Sequence, residues 1–529
     1  MSDPSARPSN TTLHPVAPLL TSVPSLHGNE GDSYALIAVV VAVLLPRLLL
    51  FPWSENLYGD AVIRTELAQR WADHPHWISS FADGAYQFGP LHLYLVGAVL
   101  KLGVARAWAG RWVSLVFGVL SVFPLYLLTR RLFGVRAAVV AGLSFAAWGM
   151  HIQMSTTGGS EALGLFLMLW VLELVAQGLE TNLFSRLALA ALCLNLACAT
   201  RYDAWMLVPL LVFLLFRADK DWVAGLTRAV FFGLLCVPFP LLWMQGNELA
   251  KGSAFYPVYF IEAFHRGWVQ EGITRWGNVG YRLQNLLFWP GAALLTLSPG
   301  VALFGASGMR RAFRERPEAR LLLWVAWVPT VYFTFKAAVL MSFVPLARFA
   351  VNQLVLLLPF VAYGFDGLLG KWPPRARASV WTLTALLAVT VPTVVAVRSY
   401  HQEDGLASSL RPVSPLSANP AAVMQVADFL KNTALPTGDA AVVDTDPNYW
   451  DLQVAFFSGL PEMRLARYRW DTFEKRLKEN HPRYLVRMDH GTLDSSGELK
   501  SAPGGVVFRG ERFAELPGFG EPFHVYRRD

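Results

Sequence analysis

The feature that most limits this chain is a succession of long apolar runs, spread from Ala35 to Val397 and separated by short connections. A helix needs roughly 17–25 apolar residues to cross a bilayer, and only helices or closed barrels satisfy their backbone groups in lipid. The spacing predicts eleven such helices, over 34–51, 108–128, 136–153, 162–178, 187–200, 203–217, 227–244, 286–306, 321–340, 352–369 and 378–398. The fifth and sixth are short and read as a hairpin pinched at Arg201, Tyr202 and Asp203. With 54% hydrophobic and only 16% charged residues, the chain falls well short of the ~25% charge of a soluble surface. It reads as a multi-pass membrane protein, mainly α, with a small soluble tail.

Three regions follow. Residues 1–33 are rich in Ser, Pro, Thr and Asn and are expected to be disordered and cytoplasmic. Tyr34 to Phe51 has neither a basic cluster before it nor a small-residue cleavage pattern, so it is the first span of a membrane domain over 34–398. Residues 399–529 alternate helical and short apolar patterns, as a small α/β domain does. Helices are expected at 421–432, 449–457 and 470–479, and strands at 440–443, 483–487 and 523–527. The glycines at Gly504, Gly505, Gly518 and Gly520 do not stand between strand and helix, so no nucleotide loop is read there.

Basic residues set the orientation. Arg130, Arg131 and Arg136, then Arg186, Arg217 and Lys220, the run Arg310 to Arg320, and Lys371, Arg375 and Arg377 fall in alternate loops. That side is expected in the cytoplasm. The other side receives a long first loop over 52–107, the turn from Ser155 to Glu161, a loop from Gln245 to Asn285, and the tail. Leu91 to Val104 is too short to cross and is placed as a helix in the outer interface. The net charge of +7 resides largely in these orientation signals, so nucleic acid is not an expected partner. Cys193, Cys198 and Cys236 lie in apolar runs as small hydrophobes, with no disulfide or zinc pattern.

Charges near membrane depth are costly and mark function. Asp60, in Leu57-Tyr58-Gly59-Asp60-Ala61, opens a helical pattern in the first outer loop, where it serves either as a cap or as a catalytic acid. Glu161 closes the polar turn Ser155 to Glu161 at the mouth of a span, with Ser160 as a candidate cap. Four cations join them: Arg47 late in the first span, Arg201 at the pinch, Lys336 near the end of the ninth span and Arg348 before the tenth. Each either snorkels to the interface or binds an anion. Arg201 and Arg348, beside Tyr202 and Phe349 at bends, suit phosphate, whose geometry arginine matches bidentately. Asp73, His74 and His76 are a weak metal signal, since paired histidines here lack strand context. No metal site is expected.

The order of features resembles a known family. Tyr58-Gly59-Asp60, Gln87-Phe88-Gly89-Pro90-Leu91-His92-Leu93-Tyr94, Gly110 to Gly118, Tyr126 to Gly134, Glu161, and Ala199-Thr200-Arg201-Tyr202-Asp203-Ala204-Trp205 look like the GT-C glycosyltransferases of the protein-mannosyltransferase type. Ala347-Arg348-Phe349 running into Leu356-Leu357-Leu358-Pro359 is similar as well. The resemblance implies a plasma-membrane enzyme that takes a sugar from a polyprenyl-phosphate carrier on the outer face, for an acceptor protein, lipid or glycan. It implies Asp60 and Glu161 as the catalytic acids and Arg201 and Arg348, with Lys336 and Arg47 behind them, near the donor phosphate. No cofactor is required, because the leaving group already carries its charge. The main rival is a transporter or lipid flippase, although no internal repeat of the kind such proteins carry is found. A sensor anchored by its spans is a third reading, for which eleven spans are many.

Overall fold

In lipid, a helix satisfies its own backbone groups, and the apolar runs of this chain fold as helices. The structure, a computed structural model, describes residues 30–53, 59–398, 421–444, 450–468, 472–489, 491–519 and 523–529. Helix α1 (Glu30–Leu50) begins four residues before the expected span, so the segment expected to be disordered ends earlier than position 33, and residues 1–29 lie outside the described part. Its Val39 and Val43 are buried against the bundle while Tyr34, Ile37, Val41 and Leu45 point outward, apolar on both sides as a lipid-facing helix is.

The first outer loop holds α2 (Gly59–Asp73) and α3 (Pro90–Lys101). They pack closely: a Cβ on Gly97 would stand 2.4 Å from the Trp71 ring. The bundle continues through α4 (Arg106–Leu120), α5 (Val122–Phe133), α6 (Val135–Ala146), α7 (Gly149–Thr156), α8 (Glu161–Thr181) and α9 (Phe184–Cys198). After a tight helical turn (Tyr202–Met206) come α10 (Leu207–Arg217), α11 (Trp222–Cys236), α12 (Pro238–Lys251), α13 (Tyr256–Leu286), α14 (Phe288–Thr296), α15 (Pro299–Glu315) and α16 (Arg320–Thr334). A second tight turn (Ala347–Ala350) leads into α17 (Val351–Leu354), α18 (Val361–Leu369) and α19 (Pro374–Arg398).

Two expectations change. Five helical stretches are long and apolar enough to cross a membrane, or seven when the bent pairs α6–α7 (63°) and α11–α12 (44°) each count as one, against the eleven expected. Breaks account for the difference. The 286–306 run divides at Ser298, whose φ of +83° precedes Pro299, leaving α14 with nine residues; at 1.5 Å per residue that is about 14 Å of a ~30 Å hydrocarbon layer. The 187–200 run forms a helix of only 15 residues. The outer segment from Gln245 to Asn285 is not a loop but the end of α12 and nearly all of α13, whose continuity is interrupted only at Gly277 with φ +68°.

Helix α8 sets the long axis. From Glu161 to Glu180 it rises about 30 Å. At the Glu180 end, Arg131 engages both the fully buried Glu173 (2.8 Å) and Glu180, Arg130 pairs with Asp32, and Asp366 accepts from Arg136 and Arg377. The basic loops thus gather at the end of the bundle away from Glu161.

The tail contains a seven-stranded sheet in the order β2-β1-β3-β7-β6-β5-β4, where β1 is Ala441–Val443, β2 Leu465–Arg467, β3 Tyr484–Met488, β4 Leu499–Ala502, β5 Gly505–Phe508, β6 Glu511–Glu515 and β7 Phe523–Arg528. Strand β1 pairs in parallel with β2 and β3, and the rest is antiparallel. Ala441, Val443 and Val486 face α20 (Ala421–Thr437) and α21 (Trp450–Ser458), while Val442 and Leu485 join an opposite core with α22 (Phe473–Asn480) and Phe513. Both faces are covered, which is why these strands read as continuous apolar runs. Strands β2, β4, β5 and β6 are additional to the three expected.

The tail domain sits on α2. Val62 packs with Leu452 and Phe456 of α21, Arg106 lies over the Phe456 ring at 5.0 Å, and Arg70 pairs with Glu462 at 3.4 Å.

Candidate functional site

Asp60, in the first turn of α2, reaches Arg348 of the Ala347–Ala350 turn, with Oδ2 to Nη1 at 3.1 Å. Glu161 opens α8 and is 3% exposed; its Oε1 accepts from Arg201 Nη1 at 2.9 Å. Ser160 occupies the cap position but makes no side-chain capping bond; its Oγ accepts from Arg201 Nη1 at 3.4 Å. Arg201 Nε also donates to Asp203 at 3.1 Å, and Asp203 accepts from Asn352 Nδ2 at 2.9 Å. Asn352 lies on α17, directly after the turn that carries Arg348. The second acid–arginine pair is therefore tied by this chain of contacts to the element that holds the first.

Close backbone contacts hold this arrangement. A Cβ on Gly89 would stand 2.3 Å from the Ala199 carbonyl oxygen, so glycine lets the start of α3 abut the Ala199–Arg201 turn, where Leu91 N donates to Ala199 O at 3.0 Å. A Cβ on Gly164 would stand 2.8 Å from Arg201 Cδ, so its absence makes room for the arginine stem. Beside Arg201, Asp203 and Asn352 opens a small recess backed by Met168, Val325 and Pro329.

Two further side chains enter the cluster that the pattern alone does not single out. Arg64 lies four residues after Asp60 and so on the same helical face. It is 5% exposed, its guanidinium lies 3.8 Å from the Phe88 ring centroid, and Glu161 and Asp60 are among the charges that act on it. His92, on α3, is fully buried and pushed down to about 3, first by burial and then by the Arg64 guanidinium, which holds the ring neutral. Asp203 and Asn352 were likewise unassigned. An i,i+4 reading of α2 is the one sequence signal that would have found Arg64.

The remaining two cations have other partners. Lys336 Nζ lies 3.7 Å from Glu262 of α13. Arg47 is fully buried between α1, α6 and α7, donating to the Val43 carbonyl at 2.7 Å and to Ser155 Oγ at 3.2 Å, with His151 Nδ1 at 2.8 Å.

Residues 85–243, from the first outer loop through the start of α12, match the family described as dolichyl-phosphate-mannose-protein mannosyltransferase. The structure of ArnT from Cupriavidus metallidurans bound to undecaprenyl phosphate superposes with a TM-score of 0.59 at 13% identity, over 94% of this chain and 98% of that one. This chain has the GT-C fold. A second GT-C structure, the oligosaccharyltransferase AglB from Archaeoglobus fulgidus in complex with an inhibitory peptide and a dolichol-phosphate, matches with a TM-score of 0.51 at 13% identity, over 87% of this chain and 70% of that one. Among curated proteins, dolichyl-phosphooligosaccharide-protein glycotransferase 3 of Archaeoglobus fulgidus is 27% identical over 303 residues, 47% of this chain and 33% of that protein. The chain thus spans about a third of the length of that relative. These GT-C relatives are glycosyltransferases, and the transporter reading finds no support among them.

Proposed function

We propose that the protein is an integral-membrane glycosyltransferase that moves a sugar from a polyprenyl-phosphate carrier to an acceptor hydroxyl or amine on a protein, lipid or glycan. The observation that carries this reading is the meeting of Asp60–Arg348 and Glu161–Arg201 at one end of a GT-C fold. Transfer breaks the bond between the anomeric carbon and the phosphate oxygen and forms one to the acceptor, passing through a carbon centre with oxocarbenium character. Asp60 takes the acceptor proton, and Glu161 orients the acceptor. Arg201 and Arg348 offset the charge that develops on the departing lipid phosphate. The leaving group departs as the polyprenyl phosphate, so no cofactor enters the step.

On this reading the first outer loop, the acids and the tail domain face outward from the plasma membrane, and the ends around Arg131 and Arg311 face the cytoplasm. The contact of the tail domain with α2 supports a shared side. Taking α9, α10, the broken α14–α15 and α19 as crossings beside those seven gives eleven. The test is transfer by the purified full-length protein from a panel of radiolabelled polyprenyl-phosphate sugars. Wild type is expected to move label to an acceptor, and Asp60→Asn to do so more slowly by a factor on the order of 10², since the amide accepts no proton. Absence of transfer from every donor, or full activity in Asp60→Asn, would overturn the reading or the base assignment respectively.

A further inference from the structure

Arg64 differs from Arg201 in what its donors meet. Arg201 directs Nη1 to Glu161 and Ser160 and Nε to Asp203, and Arg348 directs Nη1 to Asp60. Arg64 is as deeply buried as these, but its Nε and Nη1 are enclosed and meet no hydrogen-bond acceptor among the described residues. A charged donor shut away from water without an acceptor is costly, and such groups are retained where something else supplies the acceptor. The Phe88 ring, 3.8 Å from the guanidinium carbon, covers one face of the group, so an anion would meet its N–H edges in the guanidinium plane. Its place, one helical turn from Asp60 and within the field of Glu161, is where a leaving group must lie if these acids flank the reacting carbon.

We propose that Arg64 donates hydrogen bonds directly to the phosphate of the lipid-linked donor, with Phe88 as the platform beneath it, beside Arg201 and Arg348, which also pair with the two acids. This rests on the glycosyltransferase reading and assigns that site's phosphate ligand. Arg201 already directs Nη1 and Nε to carboxylates, so Arg64 offers the phosphate those donors that Arg201 has committed elsewhere.

The experiment compares binding of undecaprenyl phosphate and of undecaprenol to the full-length protein in detergent, followed by intrinsic tryptophan fluorescence. Wild type is expected to prefer the phosphate. Arg64→Gln should lose at least roughly tenfold of that preference, the loss of a charge-assisted hydrogen bond, with undecaprenol binding unchanged. Arg64→Lys keeps the charge over Phe88 but not the planar donors and serves if the glutamine variant does not fold; it should lose a smaller part. Arg70→Gln, an exposed arginine of the same helix outside the site, should keep the preference within a few-fold. Inorganic phosphate should bind more weakly than the lipid; equal binding would overturn the lipid headgroup as the ligand. A folded Arg64→Gln or Arg64→Lys that discriminates as wild type does overturns the assignment while leaving sugar transfer intact. Wild type that binds the phosphate through Arg64 yet transfers no sugar overturns the enzyme reading and leaves the assignment standing.

Discussion

Gly164 shows how single atoms set this site. A methyl group there would stand 2.8 Å from Arg201 Cδ, closer than side-chain carbons settle, and overpacking of this kind typically costs about 1–3 kcal/mol. Gly164→Ala is therefore expected to push Arg201 off Glu161 and lower turnover by roughly tenfold or more, with a small fall in melting temperature; steady-state kinetics beside a thermal melt checks both. The same scale decides what could be read in advance. Asp60 and Glu161 stand out in the sequence because an acid beside an apolar run is conspicuous. Asp203 and Asn352 do not, since their significance lies in a 2.9 Å contact between segments far apart in the chain. Arg64 was hidden for a different reason: a charged residue on an outer-loop helix reads as solvated until the packing that buries it is known.

At the scale of elements, α2 is shared between the membrane bundle and the tail domain. Phe456 is 5% exposed, packs with Val62 and lies beneath Arg106. Phe456→Ala is expected to weaken this seam by about 3 kcal/mol, as for a buried aromatic truncated to alanine. Hydrogen exchange should then speed up in α2 and α21 while β3 and β7 keep their protection; unchanged exchange in α2 would show that the seam does not hold the helix. Helices were legible where apolar runs were long, and strands β1, β3 and β7 where both faces are covered. Strands β4 and β6 escaped notice because each buries little on either face, as in Glu511–Glu515, where only Phe513 is fully enclosed. The breaks inside the apolar runs escaped as well, because hydropathy registers how apolar a segment is but not the backbone angle at Ser298 or the bend before Pro238.

For the whole molecule, the apolar runs carried its mainly helical character and the pattern after them a small sheet-bearing tail, and the relation between bundle and tail did not appear in them at all. The proposed sidedness has a direct consequence for labelling. Cys193, Cys198 and Cys236 all lie in apolar helices, the last two buried, whereas Ser501 is exposed on β4. Ser501→Cys is expected to react with a membrane-impermeant thiol reagent in intact cells, and labelling only after lysis would reverse the orientation. The seam on α2 also has a consequence in time. Arg70 and its partner Glu462 are 392 positions apart, so at ribosomal rates of about 5–20 residues per second the partner is made on the order of 20–80 s after the helix. Throughout that interval the helix bearing Asp60 has one flank bare, and a chain that stops short of α21 keeps it bare for good: the amino-terminal acid waits on the carboxy-terminal domain for its finished surroundings.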